Sequence, residues 1–355
     1  MTLEFLLDYG LFLAKIATVV IAIIAILVIA KSVGGKSSAI KGELEITNLS
    51  EHHKQTIEQL EHHLHDDAFI KARDKAEKKA EKEKVKSRGK EVKKAAKEGE
   101  LDSKREPHLF VLDFNGSIDA KEVASLREEV TAVLAVAREG DEVLLKLESG
   151  GGMVHGYGLA SSQLDRIKVA GLPLTISVDK VAASGGYMMA CIADKIVSAP
   201  FAIVGSIGVI AQLPNFNKLL KKYDIEFEQL TAGEYKRTLT MFGENSDKAR
   251  EKFKEELEET HGLFKDFIRD HRPVLDLEKV ATGEHWFGTQ AHELGLVDEI
   301  STSDDLVVAA CKDKTVLAIH YVQKKKLSDK LAGVAGKSAD SVLMKLVERG
   351  QKPIA

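Results

Sequence analysis

Between residues 107 and 321 the chain alternates short runs of branched apolar residues with segments of helical periodicity, a pattern that few folds can accommodate. The runs are HLFVLDF (108–114), EVLLKLE (142–148), PLTISVD (173–179), DKIVSA (194–199) and IGVIAQL (207–213), each read as a strand. Helical patterns at 119–139 and 157–170 fall between them, and 245–271 reads as a long charged helix. Strand followed by helix, repeated, predicts an α/β domain with largely parallel strands, because parallel neighbours need a crossover that a helix supplies.

What precedes this domain has a different character. Residues 10–30, GLFLAKIATVVIAIIAILVIA, hold a single charge, Lys15, and are long enough to cross a hydrocarbon core of ~30 Å at ~1.5 Å per residue. No basic segment precedes the run and no small-residue cleavage site follows it, so it reads as an uncleaved anchor and not as a removed signal. Lys31, Lys36 and Lys41 follow it, which by the lysine bias puts the rest of the chain in the cytoplasm.

Residues 42–69 contain apolar positions at near-helical spacing after a capping Asn48 or Ser50. His52, His53, His62, His63 and His65 cluster there and read as a polar helix face, since no cysteine or spaced ligand set accompanies them. Residues 71–106 carry fifteen basic and nine acidic side chains and no aromatic one, so they cannot bury enough surface to form a core and are expected as a solvated helix or tether. The interleaved acids and missing aromatics argue against nucleic acid as partner, and anionic lipid headgroups are the more economical one. The expected organisation is an anchor region at 1–41, a charged helical arm at 42–106, an α/β domain at 107–321 and a basic tail at 322–355. Cys191 and Cys311 allow at most one bridge, and Cys191 reads as buried packing.

Three segments carry possible chemistry. Ser149-Gly150-Gly151-Gly152 follows a strand and precedes a helix, where glycine amides can point into a cavity; an oxyanion hole and a plain tight turn are both open readings. Ser184, in VAASGGY, stands on a strand-to-helix turn, as a nucleophile or as an N-cap. Lys236, in GEYKRT, is a surface charge unless burial strips its proton, in which case it can serve as the base for a serine. His155 and His285 are competing bases, but no orienting carboxylate marks either, and both read as surface or structural residues.

Taken in order, VAASGGYMMA (181–190), VGSIGV (204–209), GEYKR (233–237) and GEHWFGTQAHELGLVDEI (283–300) resemble the SppA signal peptide peptidases, and the anchor with its charged arm resembles their SohB branch. The resemblance spans nearly the whole chain. It implies a ClpP/crotonase-like spiral of ββα units and a membrane-anchored serine endopeptidase with a Ser-Lys dyad, acting through an acyl-enzyme on extended or membrane-released peptides without metal or organic cofactor. Ser184 matches the family nucleophile, Lys236 the base and Ser206 a hydroxyl that orients the lysine. The amide of Gly185, with that of Gly152 or Gly151, matches the oxyanion hole. The resemblance further implies a homo-oligomer with sites shared between subunits, and a periplasmic domain at the bacterial inner membrane, against the cytoplasmic reading of the lysines. One departure stands out: the family's S-P-G-G has Gly150 at its second position, which loosens the turn. A crotonase-like acyl-CoA enzyme and a silent peptide-binding scaffold on the same fold remain as alternatives.

Overall fold

The computed structural model describes residues 42–98 and 105–323, together with Phe12, Lys15, Ile16 and Thr18. The anticipated span at 10–30 falls almost entirely outside the described residues, and the tail from 324 onward does so completely. Among the described residues no helix is long and apolar enough to cross a membrane. The chain forms two compact units, one of 1–43 with 322–355 and one of 44–321. Of the first, the described residues are the four helical ones near the N-terminus and the strand residues Gly42, Glu43, Val322 and Gln323.

The larger unit is α/β. The strands of the described residues are β1 (Gly42–Asn48), β2 (His108–Asn115), β3 (Glu142–Glu148), β4 (Leu174–Val178), β5 (Val181–Ala183), β6 (Lys195–Ser198), β7 (Ile203–Gly205), β8 (His285–Phe287), β9 (Glu299–Ile300) and β10 (Thr315–Gln323). Seven form one sheet in the order β1-β10-β2-β3-β4-β6-β9, whose pairs from β10 to β9 are all parallel. The others form a small sheet, β5-β7-β8. From β4 to β7 the chain visits the two sheets in turn: β4 and β6 enter the large one, β5 and β7 the small one.

The side-chain period of two explains why the large sheet is covered on both faces. On β2, Phe110, Leu112 and Phe114 enter the main core, while Leu109 and Val111 enter a smaller cluster with Leu144, Val316 and Ala318. Helices α3 (Val123–Val136) and α4 (Val154–Val169) close the main core, α3 through Leu126, Val130 and Val133 and α4 through Tyr157, Leu164 and Ile167. Each such large apolar side chain contributes about 1.5–3 kcal/mol on burial.

Ahead of the sheet, α1 (Leu49–Leu64) starts where predicted, with Asn48 Oδ1 accepting from Glu51 N–H at 3.0 Å. The charged arm is helical as α2 (Asp67–Glu98). One predicted strand is corrected. IGVIAQL is irregular: β7 lies just upstream and ends at Gly205, with φ +101°, and Ser206 follows it with φ +49°. IEFEQL (225–230), strand-like in composition, is irregular as well. Neither run lies beside a strand edge to which it pairs, so an apolar pattern alone does not make it a strand. Over 208–246 the one helix is the short α6 (Asn217–Lys222), and Ile210 and Leu230 are 78% and 94% exposed.

Candidate active site

The glycine turn leaves the C-terminal end of β3, the end of a parallel sheet where ligands are usually met. It is tied at once to the small sheet: Ser149 N–H donates to Val181 O at 2.8 Å, and Ala183 N–H donates to Ser149 O at 2.9 Å. β5 then ends at Ala183, and Ser184 caps the short buried helix α5 (Gly185–Ala190) with φ +52°, a left-handed backbone that a serine adopts only under constraint. The constraint is visible. Ser184 N–H donates to Gly205 O at 2.8 Å and its carbonyl accepts from Met188 N–H at 3.0 Å.

Two glycines are imposed by close approach. A Cβ on Gly151, whose φ is +85°, would lie 2.7 Å from Gly185 N, and a Cβ on Gly185 would lie 2.4 Å from the Tyr157 ring. Beneath the turn runs a hydrogen-bonded chain. Tyr157 OH donates to Ser117 O at 2.8 Å, so the Ser149 hydroxyl donates to Tyr157 OH at 2.5 Å and accepts from Gly151 N–H at 3.0 Å. Burial holds the Tyr157 phenol above its ordinary range, which keeps it a donor. The Gly151 amide is thereby engaged, whereas those of Gly152 and Gly185 have no acceptor among the described residues.

Ser184, Gly151, Gly152, Gly185 and Ser206 all line one cavity of about 590 Å³. Ser206 N–H donates to Glu284 O at 2.7 Å, which fixes it just beyond the carbonyl that holds Ser184. Lys236 is not among the residues lining the cavity: it is exposed in the irregular stretch, its N–H on Gly233 O at 3.3 Å. His155 and His285 are exposed and do not line the cavity either. A histidine that sequence reasoning passed over, His261, does line it; it comes from α7 (Asp247–His271), which packs on α5. Cys191 is free and buried, its thiol pushed up to about 12 by desolvation.

Residues 4–164 match the peptidase family S49 N-terminal description, and residues 166–317 match peptidase family S49. The chain is 52% identical to a protein of Haemophilus influenzae named "Probable protease SohB", over 96% of both chains. It is 50% identical to one of the same name from Buchnera aphidicola, over 97% of this chain and 98% of that one. Among solved structures it is similar to a variant of the 1510-N membrane-bound stomatin-specific protease, over 57% of this chain and 84% of that chain, at 13% identity and a TM-score of 0.38.

Proposed function

The chain belongs to peptidase family S49, in its SohB branch, and from that premise we propose that this peptidase is a serine endopeptidase whose nucleophile is Ser184. The observation that carries the reading is the meeting of Ser184, in a left-handed turn at a helix start, with two unengaged glycine amides in one cavity. In this mechanism Ser184 Oγ attacks the scissile carbonyl, and the oxyanion is held by the N–H groups of Gly152 and Gly185. Expulsion of the amine leaves an acyl-enzyme that water hydrolyses. Extended, unfolded or membrane-released peptides are the substrates. The strands that visit the two sheets in turn, β4 then β5 and β6 then β7, support the spiral of ββα units of the ClpP/crotonase fold.

Lys236 is the proposed base, supplied by a neighbouring copy, with Ser206 orienting its amine. Two observations support this: Lys236 is exposed within its own protomer, and the 208–246 stretch around it presents Ile210, Leu230 and Tyr235 to solvent, as an oligomer interface would. Burial in that interface would take the lysine's proton. Its exposure in the single chain equally favours a second reading, a scaffold that binds peptides and does not cut them. One experiment separates them. Ser184→Ala and Lys236→Ala should each be inactive on an unfolded protein, and assembling the two variants together should restore cleavage. No activity in the parent would favour the scaffold, and normal turnover by purified Lys236→Ala would remove the lysine.

For localisation we infer a single-pass anchor in a bacterial inner membrane. In support, Lys71, Lys75, Lys78, Lys79 and Lys82 line one surface of α2, and Lys86, Lys90, Lys93 and Lys97 continue at spacings of three and four. At ~100° per residue all nine fall within about 120° of arc, a stripe suited to anionic headgroups. A reporter fused at the C-terminus distinguishes the cytoplasmic side, favoured by the lysines after the span, from the periplasmic one that the family implies.

A further inference from the structure

Tyr157 stands in the first turn of α4, completely buried beneath the glycines that line the Ser184 cavity. Its ring lies against Gly185, where a Cβ would overlap Cγ and Cδ2 of the tyrosine. Its hydroxyl reaches the other side of the site through Ser149, whose Oγ in turn holds the Gly151 amide. One side chain thus bears on Gly185 directly and on the Gly151–Gly152 turn through a single hydroxyl.

Residues 150–152 are three consecutive glycines, so nothing within the turn fixes where its amides point. That direction has to come from outside. Gly151 N–H is tied inward to Ser149 Oγ at 3.0 Å, and the next amide, of Gly152, is the one left free. Ser149 offers its lone pair in a fixed direction because its own proton is spent on Tyr157 OH, at 2.5 Å. The phenol's proton is spent on Ser117 O, at 2.8 Å. With both protons committed, the network has one arrangement and holds Gly151 N–H in one direction. The hydroxyl pair is also closely enclosed: a Cβ on Gly116 would lie 2.5 Å from Tyr157 OH and 2.8 Å from Ser149 Oγ.

We propose that Tyr157 is a positioning residue of the oxyanion hole, its ring setting Gly185 and its hydroxyl, through Ser149, setting the Gly151–Gly152 turn. It acts on the transition state without touching substrate. This rests on the reading of Ser184 as the nucleophile.

The test uses the full chain. Tyr157→Phe keeps the ring and removes the hydroxyl, and Ser149→Ala breaks the same path at a second point. Each should lower kcat on an unfolded protein about 10- to 100-fold, less than the ~10²–10³-fold lost with an oxyanion donor itself, because the donors are misaimed and not removed. KM should stay within about twofold, since the oxyanion exists only in the transition state. The double variant should be no slower than the slower single one, because both changes cut one path. A peptide aldehyde supplies the second readout: Ser184 Oγ adds to its carbonyl carbon, the serine proton passes to the base, and an oxyanion forms in the hole. Its affinity should fall in step with kcat, while the affinity of an unreactive peptide for Ser184→Ala should not change when Tyr157→Phe is added. A general loosening of the fold would not produce that split. If the parent captures the aldehyde and cuts peptides, and both variants match it within twofold, the positioning role fails and the protease reading stands. Losses that multiply in the double variant, or a raised KM at unchanged kcat, would overturn the role as well. A parent that neither captures the aldehyde nor cuts would remove the nucleophile, and the role of Tyr157 with it.

Discussion

Gly151 and Ser184 approach so closely that a Cβ on the glycine would lie 2.7 Å from the serine's own Cβ. The same atom would stand 2.8 Å from Ala183 O, on a backbone whose φ of +85° already disfavours a side chain. Gly151→Ala is therefore expected to push Ser184 out of its turn and to slow its labelling by a fluorophosphonate about 100-fold or more, since misplacement by ~1 Å is worth that much. Labelling within twofold of the parent, in a folded variant, would disprove the contact.

Gly150 behaves oppositely. A Cβ built there meets nothing within 4 Å, its φ lies outside the left-handed range, and its N–H has no acceptor among the described residues. The preceding Ser149 is in a β-bridge with Ala182, the extended conformation that a following proline prefers. Gly150→Pro, which restores the family's S-P-G-G, should raise stability by about 0.4–1 kcal/mol through the unfolded chain without loss of activity. A lowered melting temperature would show that the turn rejects the ring.

Glu129 on α3 is buried and accepts from Tyr321 N–H at 2.7 Å, pinning the end of β10. Desolvation pushes its carboxyl up to about 7 from 4.5, with Asp113 adding to the rise and the Tyr321 N–H opposing it. The folded state therefore holds this proton more tightly than the unfolded one. Its contribution to stability is complete below about pH 4.5 and is lost as pH rises through about 7, a difference of about 3 kcal/mol. Glu129→Gln should abolish this slope and make the protein more stable than the parent at pH 8; denaturant titrations at pH 4.5 and 8 measure it, and parallel pH dependence in the two proteins would refute it.

Arg272 closes α7 with two hydrogen bonds to Asp298, at 2.8 and 2.9 Å, and a third to Gly295 O. Desolvation opposes ionisation of Asp298, but the hydrogen bonds from Arg272 and Ile196 N–H prevail and hold its pKa below the ordinary value. Stability from this carboxylate is thus present above its unfolded value of 3.8 and is lost as pH falls below it. Asp298→Ala, which strands the buried Arg272 guanidinium, should cost about 3–5 kcal/mol; Arg272→Ala, which leaves a carboxylate that solvent reaches, should cost less, and the double variant less than the sum of the two. Additive losses in a double-mutant cycle would show that the two side chains are not coupled.

Much of the α/β frame was legible from local pattern. EVLLKLE coincides with β3, Asn48 caps α1, and the glycine turn and Ser184 stand at the strand-to-helix junctions expected of them. What failed were segments decided by their neighbours. IGVIAQL has a strand's composition, yet the left-handed Gly205 and Ser206 redirect the chain before it and only Ile207 is buried. Likewise, nothing in EETHGLF distinguishes His261 from other polar residues on a charged helix, because its place at the cavity exists only once α7 packs on α5. The location of Lys236 outside the cavity was equally invisible to a motif, which fixes residue type and order but not distance.

The bonds that place the proposed nucleophile form a short rail: Ser184 to Gly205, then Ser206 to Glu284, drawing together stretches of chain about a hundred residues apart. The intervening loop, 208–246, contributes no rung to it. Lengthening or rewriting that loop would leave the serine where it stands while altering the mouth of the cavity and the presentation of Lys236. The molecule can thus be retuned in what it admits without being rebuilt where it would cut.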